Sequence, residues 1–290
     1  MKKKILFVIN PISGGKSKTN FPLLADQFLD STKFQPNYIF TEYTGHATEI
    51  AKNAIDAGLD IVVAVGGDGT INEIASSLEG TKTIMGIIPC GSGNGLARSL
   101  KIPLDNKKAV LTLNKLKIET IDSGTINGKK FFNVAGVGFD AHISSRFAES
   151  ITRGLMGYVR TTFQELSTYQ PQLYSLEIDG VPYRREAFMI SIANSSQYGN
   201  NAHISPFASL KDGWLDVCII KPFPLYSFPL MGIQMFSKLT HRSKFIEIIQ
   251  GKEIMISRNL AAPVHLDGEP ENMGAELSVS IKPLSLTVLN

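Results

Sequence analysis

Residues 60–73, with the sequence DIVVAVGGDGTINE, constrain the fold of this chain more than any other stretch. They begin with the apolar, β-branched run 61–65, which predicts a buried strand of a parallel sheet. Glycines on both sides of Asp68 interrupt the strand, and a helical pattern of apolar residues follows Thr70. A strand that turns through glycines into a helix presents backbone N–H groups that can bind phosphate.

Asp68 puts a negative charge inside this predicted phosphate site. A carboxylate repels phosphate unless a cation lies between them, so Asp68 indicates either bound Mg²⁺ or a role in proton transfer. The alternative is a tight strand-to-helix turn in which Asp68 only caps a helix. The residues themselves leave these interpretations open.

A second turn, NPISGGKS, follows the apolar residues 4–9. Its last three residues fit a Walker A motif, but that motif requires Gly at the position of Asn10. Pro11 also removes a backbone amide that a phosphate could have used. We therefore expect a turn that contacts phosphate or ribose without being a true P-loop.

Strands and helices alternate through the first part of the chain. Helices are predicted at residues 23–29 and 47–57, and strands at residues 38–40 and 83–88. The Gly-rich sequence PCGSGNG follows the last of these strands. This order predicts an α/β domain with a doubly wound parallel sheet, whose turns at the carboxyl ends of the strands bind the ligand.

The pattern changes after Asp122. The dipeptide Asp-Gly at residues 179–180 separates two alternating stretches and predicts a hairpin. Helical pattern is concentrated at residues 143–167 and 227–239, and the chain ends in two predicted strands, 277–281 and 284–289. We expect a second, mostly antiparallel β domain, either a sandwich or a barrel. The expected domains are 1–123, joined by the C-terminal strand 283–290, and 124–282.

The composition argues against several other classes of protein. The net charge of +3 and the lack of basic stretches with interleaved aromatics argue against a nucleic-acid partner. Charged and proline residues interrupt the apolar stretch 218–236, which argues against a membrane span. Cys90 and Cys218 lack metal-ligand spacing, so we expect a reduced, cytoplasmic protein. The oligomeric state stays open, with a homodimer as one candidate.

Six motifs, in order along the chain, resemble the diacylglycerol kinase catalytic-domain superfamily, particularly the bacterial soluble lipid kinases and more distantly the sphingosine kinases. They are NPISGG, Thr41 after the second strand, GGDGTINE, PCGSGNGLARSL, KDGWLDV and HLDGEP. The resemblance implies an α/β nucleotide domain, a β-rich lipid domain, and ATP- and Mg²⁺-dependent phosphorylation of a lipid hydroxyl. Diacylglycerol is the first substrate expected, and a sphingoid base or ceramide is the second. The rival functions are an NAD kinase and a non-catalytic nucleotide- or lipid-binding regulator.

The resemblance also implies roles for individual residues. It makes Glu269 the catalytic base and places Asp68 in the catalytic site. It implies a structural Mg²⁺ held by the Asp212 side chain and the backbone carbonyls of Ser209 and Trp214, with Asp122 linked through water to the metal network of Asp68. The residues that it implies for ATP binding are Asn10, Pro11, Ile12, Ser13, Gly14, Thr41, Gly66, Gly67, Asp68, Gly69, Thr70, Ile71, Asn72 and Ser92.

Two positions leave details open. Gly95 stands where bacterial diacylglycerol kinases usually have Asp, and sphingosine-kinase-like members also have a small residue there, so the identity of the lipid is open. His265, close to Glu269, is either an alternative base or a packed strand residue.

Residues 223–245 combine aromatic, proline and basic residues. Such a mixture fits a peripheral anchor at the inner face of an anionic membrane, or equally a solvated helix edge over a core. Arg146, Arg153 and Arg160 recur along the predicted helix 143–167, and one solvated helix face explains them.

Overall fold

A computed structural model describes residues 2–15, 17–149 and 162–290. The chain forms two compact units. Unit 1 comprises Met1–Ile121 and Leu284–Asn290, and unit 2 comprises Asp122–Pro283. No helix in the described residues is long and apolar enough to cross a membrane.

The strands are β1 (Lys3–Ile9), β2 (Phe34–Phe40), β3 (Ile61–Gly66), β4 (Ile84–Pro89), β5 (Ile118–Ile126), β6 (Lys129–Phe131), β7 (Val134–Gly138), β8 (Gln172–Ile178), β9 (Val181–Ala187), β10 (Met189–Ala193), β11 (Gln197–Gly199), β12 (Ala202–His203), β13 (Leu215–Ile220), β14 (Ile246–Gly251), β15 (Glu253–Ser257), β16 (Ala262–Leu266), β17 (Glu269–Met273) and β18 (Glu276–Leu289). The α-helices are α1 (Phe21–Phe28), α2 (His46–Asp56), α3 (Asp68–Leu78), α4 (Gly95–Ser99), α5 (Asn106–Leu113), α6 (Phe139–Glu149) and α7 (Phe228–Phe236). Short 3₁₀ helices lie at Ser13–Gly15, Leu225–Ser227 and Thr240–Arg242.

Unit 1 is built on a parallel sheet, as its alternating pattern predicts. The strand order is β2-β1-β3-β4, and Val288 at the end of β18 pairs with Met85 of β4. Every residue of β3 is buried, which explains its uninterrupted apolar sequence. Helix α2 packs on α3, and α1 packs on α5. This sheet brings the ends of β1, β3 and β4 side by side, and each end leads into a Gly-rich turn.

Unit 2 is a sandwich of antiparallel strands. A six-stranded sheet has the order β14-β13-β10-β7-β16-β17. The facing strands include β8, β9, β15 and the first part of β18. One buried apolar cluster contains side chains from both layers, such as Val137 and Ile190 from the first and Leu176 and Ile254 from the second. The prediction of an antiparallel β domain is confirmed, and of its two forms the sandwich is the one observed.

The end of the chain differs from the prediction of two strands. Glu276–Leu289 is a single strand, in which residues 276–280 pair with β15 and Val288 pairs with β4. Leu284 has a left-handed φ of 46°, just after Pro283. Pro283 and the left-handed residue Leu284 mark the point where the strand changes its pairing partner. In the sequence, this point resembles the end of one strand and the start of another.

The predicted helix 143–167 is described only at its two ends. Helix α6 covers its start, and residues 162–166 are also helical. Arg153 and Arg160 lie outside the described residues, so their predicted helix face is not defined. The second predicted helix, 227–239, is observed as the shorter α7.

Candidate active site

Three Gly-rich turns lie together at the carboxyl edge of the unit 1 sheet. They are residues 10–15 after β1, residues 66–70 at the end of β3, and residues 90–95 after β4, and these strands are neighbours in the sheet. Thr41 follows β2, and its backbone N–H donates to the Ile9 carbonyl at 2.8 Å. The structure therefore gathers the sequence-predicted ATP residues at one edge, where parallel sheets bind ligands.

Glycine is required where these turns approach each other. A Cβ on Gly91 would lie 2.6 Å from the Gly67 Cα, and a Cβ on Gly14 would lie 2.0 Å from the Cys90 carbonyl oxygen. Gly14 also has a left-handed φ of 63°, which other L-residues adopt at a cost. The turns thus meet through bare backbone, and this leaves main-chain groups close to any ligand at this edge.

Asp68 links two of the turns. It is the first residue of α3, and its carboxylate accepts hydrogen bonds from the backbone N–H groups of Asn94 at 2.8 Å and Gly95 at 2.9 Å. A carboxylate at the start of a helix is favourable because the N-terminal N–H groups carry partial positive charge. Asp68 therefore caps α4, which begins at the end of the third turn. The sequence had suggested only a cap at the strand-to-helix turn that contains Asp68. Its predicted catalytic role stays a prediction.

Two asparagine side chains complete the arrangement. Asn94 has a left-handed φ of 53°. Its carboxamide accepts from the Gly91 N–H at 2.9 Å and donates to the Gly91 carbonyl at 2.7 Å, which closes the third turn. Asn10 donates to the Thr70 hydroxyl at 3.1 Å and so connects the first turn to α3. The role of Asn10 in ATP binding stays a prediction, and the hydrogen bonds of Asn94 are visible only in the fold.

Lys18 is a basic residue of this edge that the sequence reasoning missed. Its side chain is buried, and its ammonium donates to the Ser13 carbonyl oxygen at 2.5 Å. The Walker-like sequence drew attention to Lys16, which lies outside the described residues. A buried ammonium beside a Gly-rich turn is the signal that identifies Lys18, because a lysine is rarely buried without a partner.

In unit 2, Glu269 begins strand β17 beside a tight hairpin turn. Asp267 and Gly268 form the two-residue turn between β16 and β17, both with left-handed φ, 51° and 94°. The Asp267 carboxylate accepts the N–H groups of three successive residues, Phe132 at 3.0 Å, Asn133 at 2.8 Å and Val134 at 3.1 Å. Glu269 is exposed to solvent. Asp267 therefore fixes the turn that precedes the predicted base.

We expect Asp267→Asn to lower the free energy of unfolding by about 1–3 kcal/mol, because hydrogen bonds from three N–H groups lose a charged acceptor. The altered turn also displaces Glu269, and a displacement of 1 Å lowers turnover by up to about 100-fold. Thermal unfolding and kcat measure the two effects.

The matched control is Asp179→Asn. Asp179 occupies the other Asp-Gly hairpin of unit 2, and its carboxylate accepts the N–H groups of Lys252 and Glu253. We expect Asp179→Asn to lower the free energy of unfolding about as much as Asp267→Asn does, and to leave kcat unchanged. Equal kcat values for both variants would show that the Asp267 turn has no special role in positioning Glu269.

His265 lies in the core of unit 2, unlike exposed Glu269. Its Nε2 is 2.9 Å from Oδ2 of buried Asp140. The hydroxyls of Tyr198 and Ser191 donate to the same carboxylate. Gly136 leaves the room for this pair, since a Cβ there would lie 2.3 Å from the Asp140 oxygen. Of the two alternatives for His265, these contacts support a packed strand residue and not a base.

Asp212, the side-chain ligand of the predicted structural metal site, lies near two other carboxylates of unit 2, Asp122 and Asp216. Asp122 is fully buried and accepts the Gly213 N–H at 2.8 Å, and Asp212 accepts the Trp214 N–H at 3.1 Å. Burial raises the pKa of the Asp212 carboxyl, and the negative charges of Asp216 and Asp122 raise it further. A carboxylate with other negative charges nearby is a suitable environment for a hard cation.

At each predicted position, one carboxylate side chain would bind Mg²⁺ and the other ligands would come from groups other than side chains. Within the described ranges, no three His, Cys, Asp or Glu side chains are grouped as metal ligands. Mg²⁺ commonly binds through one or two carboxylates and completes its shell with water, phosphate or carbonyl oxygens. Asp68 beside a nucleotide phosphate, and Asp212 with the carbonyls of Ser209 and Trp214, both fit that pattern.

Comparison with known proteins agrees with the motifs along nearly the whole chain. Residues 4–126 match the diacylglycerol kinase catalytic domain, and residues 133–290 match the YegS C-terminal NAD kinase beta sandwich-like domain. The Probable lipid kinase YegS-like of Chromohalobacter salexigens is 30% identical, over 80% of this chain and 78% of that protein. The chain belongs to the YegS and diacylglycerol kinase family of lipid kinases.

Further similarities place this lipid kinase within a structural group. It is 26% identical to the Diacylglycerol kinase of Bacillus subtilis, over 92% of this chain and 90% of that protein. A diacylglycerol kinase structure from Bacillus anthracis has a TM-score of 0.77 at 20% identity and covers 99% of this chain and 96% of its own. An NAD kinase from Archaeoglobus fulgidus, solved with ATP, has a TM-score of 0.53 at 14% identity, with coverage of 100% and 94%. These two structures show a shared fold.

The family confirms three predictions about this lipid kinase: the superfamily, the two-part fold, and enzymatic rather than regulatory activity. The NAD kinase is related to it only distantly, through the fold. The individual roles of the site residues remain predictions.

Proposed function

We propose that this lipid kinase transfers the γ-phosphate of ATP to the hydroxyl of diacylglycerol and produces phosphatidic acid. One structural observation carries the kinase half of the proposal: three Gly-rich turns meet through bare backbone at the carboxyl edge of the unit 1 sheet. Similarity to the Diacylglycerol kinase of Bacillus subtilis over nearly all of both chains supports diacylglycerol as the acceptor.

In this proposal, unit 1 binds the nucleotide. Backbone N–H groups of the turns hold the phosphates. The Asn10–Thr70 and Asp68–Asn94 hydrogen bonds fix the positions of the turns relative to one another. Lys18 adds a positive charge next to the first turn. Asp68 is the residue that would hold Mg²⁺ here, and the ion would neutralise phosphate charge. Asp68 thus has two functions in this proposal, as the cap of α4 and as the carboxylate that would hold the cation.

Glu269 accepts the proton of the lipid hydroxyl while the hydroxyl oxygen attacks phosphorus. General-base assistance of this kind is typically worth about 10²–10⁴-fold in rate. Glu269 is suited to the role because it is exposed, whereas the neighbouring His265 is held in the core by Asp140. Asp267 has a positioning role through its bonds to residues 132–134.

A sphingoid base or ceramide is the second candidate acceptor, and Gly95 is the observation that favours it. Gly95 is buried and donates its N–H to Asp68. Bacterial diacylglycerol kinases usually have Asp at this position, so the third turn here lacks that carboxylate.

The test is phosphate transfer from γ-labelled ATP and Mg²⁺ to lipids in uncharged mixed micelles. Diacylglycerol, a sphingoid base, ceramide and a monoacylglycerol are offered separately, and NAD⁺ is offered in a parallel reaction. We expect label in phosphatidic acid. Label only in a sphingolipid would replace the acceptor with the second candidate, and label only in NADP⁺ would refute lipid phosphorylation.

We also propose that Asp212, Ser209 and Trp214 hold a structural Mg²⁺. Trp214 is the only tryptophan of the chain and lies under the Lys252 ammonium, 4.4 Å from the ring centre. We expect Mg²⁺ to change its fluorescence and to raise the melting temperature, because a bound cation neutralises Asp212 and Asp122. Asp212→Asn should abolish both responses, whereas Asp105→Asn, which alters a carboxylate of unit 1, should keep them. Unchanged responses in Asp212→Asn would exclude this metal site.

A further inference from the structure

Helix α7 is apolar on two opposite faces, and only one of them is buried. Phe228, Met231 and Met235 face inward and pack against the apolar cluster on the outer side of the six-stranded sheet. On the opposite face, Leu230 and Ile233 are 57% and 64% exposed. A helix that is apolar on all sides is normally buried on all sides. The outer face of α7 is therefore more exposed to solvent than its apolar sequence predicts.

Neighbouring side chains extend this outer face. We define the α7 patch as the exposed residues Leu225, Tyr226, Leu230, Ile233 and Phe236. Tyr226 is 84% exposed and lies one turn before Leu230, and Phe236 is 63% exposed at the helix end. Scattered exposed apolar residues are ordinary, but exposed apolar residues concentrated in one short segment, 225–236, are typical of an interaction site.

Positive charge follows the patch directly. Lys238, His241, Arg242 and Lys244 are all exposed, and in the described part of the chain none of them has a carboxylate within ion-pair distance. Residues 221–246 contain no Asp or Glu. Lys221 differs, because its ammonium is 2.9 Å from the Glu247 carboxylate. The basic rim is therefore Lys238, His241, Arg242 and Lys244.

We propose that the α7 patch and the basic rim dock this enzyme on an anionic lipid bilayer. Apolar side chains next to unpaired basic groups match the two layers of a membrane surface, the acyl boundary and the negative head groups. A second copy of the chain fits less well, since a two-fold contact through this surface would bring two basic rims together. This proposal rests on the proposed function, because a lipid kinase takes its substrate from such a surface.

The test is co-sedimentation of the whole 290-residue chain with vesicles of phosphatidylcholine alone or with added phosphatidylglycerol. We expect strong, salt-sensitive binding only to the anionic vesicles. Arg242→Glu with Lys244→Glu should weaken that binding by about tenfold or more, given the attraction of each basic residue to an anionic surface. Leu230→Ser with Ile233→Ser should weaken it comparably at every salt concentration.

Exposed residues elsewhere provide matched controls. Leu260→Ser replaces a leucine that is 76% exposed in unit 2, and Arg184→Glu with Lys52→Glu reverses two exposed basic charges. These controls should bind like the wild type. Equal weakening by controls and patch variants would refute a specific docking surface, as would equal binding to both kinds of vesicle. If the wild type were a dimer and Leu230→Ser with Ile233→Ser made it a monomer, the α7 patch would be a dimer interface and the docking proposal would be refuted.

Kinase activity in uncharged detergent micelles separates this proposal from the proposed function. Vesicle binding needs no turnover, and the micelle assay needs no anionic surface. We expect the patch variants to keep full activity in micelles while losing activity on anionic vesicles. Loss of micelle activity by both patch variants would overturn docking as their role. Vesicle binding by an enzyme that phosphorylates no lipid would leave docking intact and refute the proposed function.

Discussion

Glu269→Gln lowers kcat by about 10²–10⁴-fold and leaves the affinity for ATP unchanged, if Glu269 is the base. The substitution keeps the size of the side chain and removes its ability to take a proton. The predicted ATP residues all lie in unit 1, whereas Glu269 lies in unit 2, so binding of the nucleotide should not depend on this carboxylate. Steady-state kinetics with diacylglycerol and a nucleotide-binding titration measure the two properties.

Glu271→Gln is the matched control for this result. Glu271 is on the same strand, two residues further on, and forms an ion pair with Lys129 at 2.7 Å. The same chemical change there should leave kcat within about twofold, because exposed ion pairs contribute little. If both variants were equally active, or if Glu269→Gln weakened ATP binding instead of turnover, Glu269 would not be the base.

Asp68→Asn raises the Mg²⁺ concentration needed for half-maximal activity by about 10–100-fold, the usual cost of altering the groups that hold a metal. It also weakens the link to the third turn, because the side chain keeps one acceptor oxygen for the two N–H groups of Asn94 and Gly95. Each hydrogen bond to a charged group contributes about 1.5–3 kcal/mol. Activity as a function of Mg²⁺ and thermal unfolding measure the two effects.

Asp105→Asn separates capping from metal chemistry. Asp105 caps α5 in the same unit, where its Oδ1 accepts the Lys108 N–H at 2.9 Å, and it has no predicted role in catalysis. We expect this variant to lower stability without changing the Mg²⁺ requirement. The same Mg²⁺ dependence in both variants and the wild type would reduce Asp68 to a structural cap.

Structural features that depend on residues adjacent in the chain could be predicted from the sequence. The apolar run of β3 and its glycine turn predicted a buried parallel strand, and Asp179–Gly180 predicted the β8–β9 hairpin, which the left-handed φ values of both residues explain. In each case the residues that determine the structure are adjacent in the chain, so periodicity and turn chemistry suffice.

The partners of individual side chains could not be predicted in this way. Asp68 caps a helix 26 residues later in the chain, and Asp267 receives its N–H groups from residues more than 130 positions earlier. Lys18 is recognisable only from its burial beside Ser13. These interactions depend on which strands become neighbours, and hydrophobic periodicity does not specify a pairing of one polar atom with another.

The most direct test of the central claim is the ratio of phosphatidic acid formed to ADP formed, with ATP, Mg²⁺ and diacylglycerol in uncharged micelles. Phosphoryl transfer to the lipid hydroxyl predicts one phosphatidic acid for each ADP, and no ADP above background when diacylglycerol is left out. ADP that accumulates without phosphatidic acid would mean that the phosphate goes to water or another acceptor, and it would contradict the proposal that this lipid kinase phosphorylates diacylglycerol.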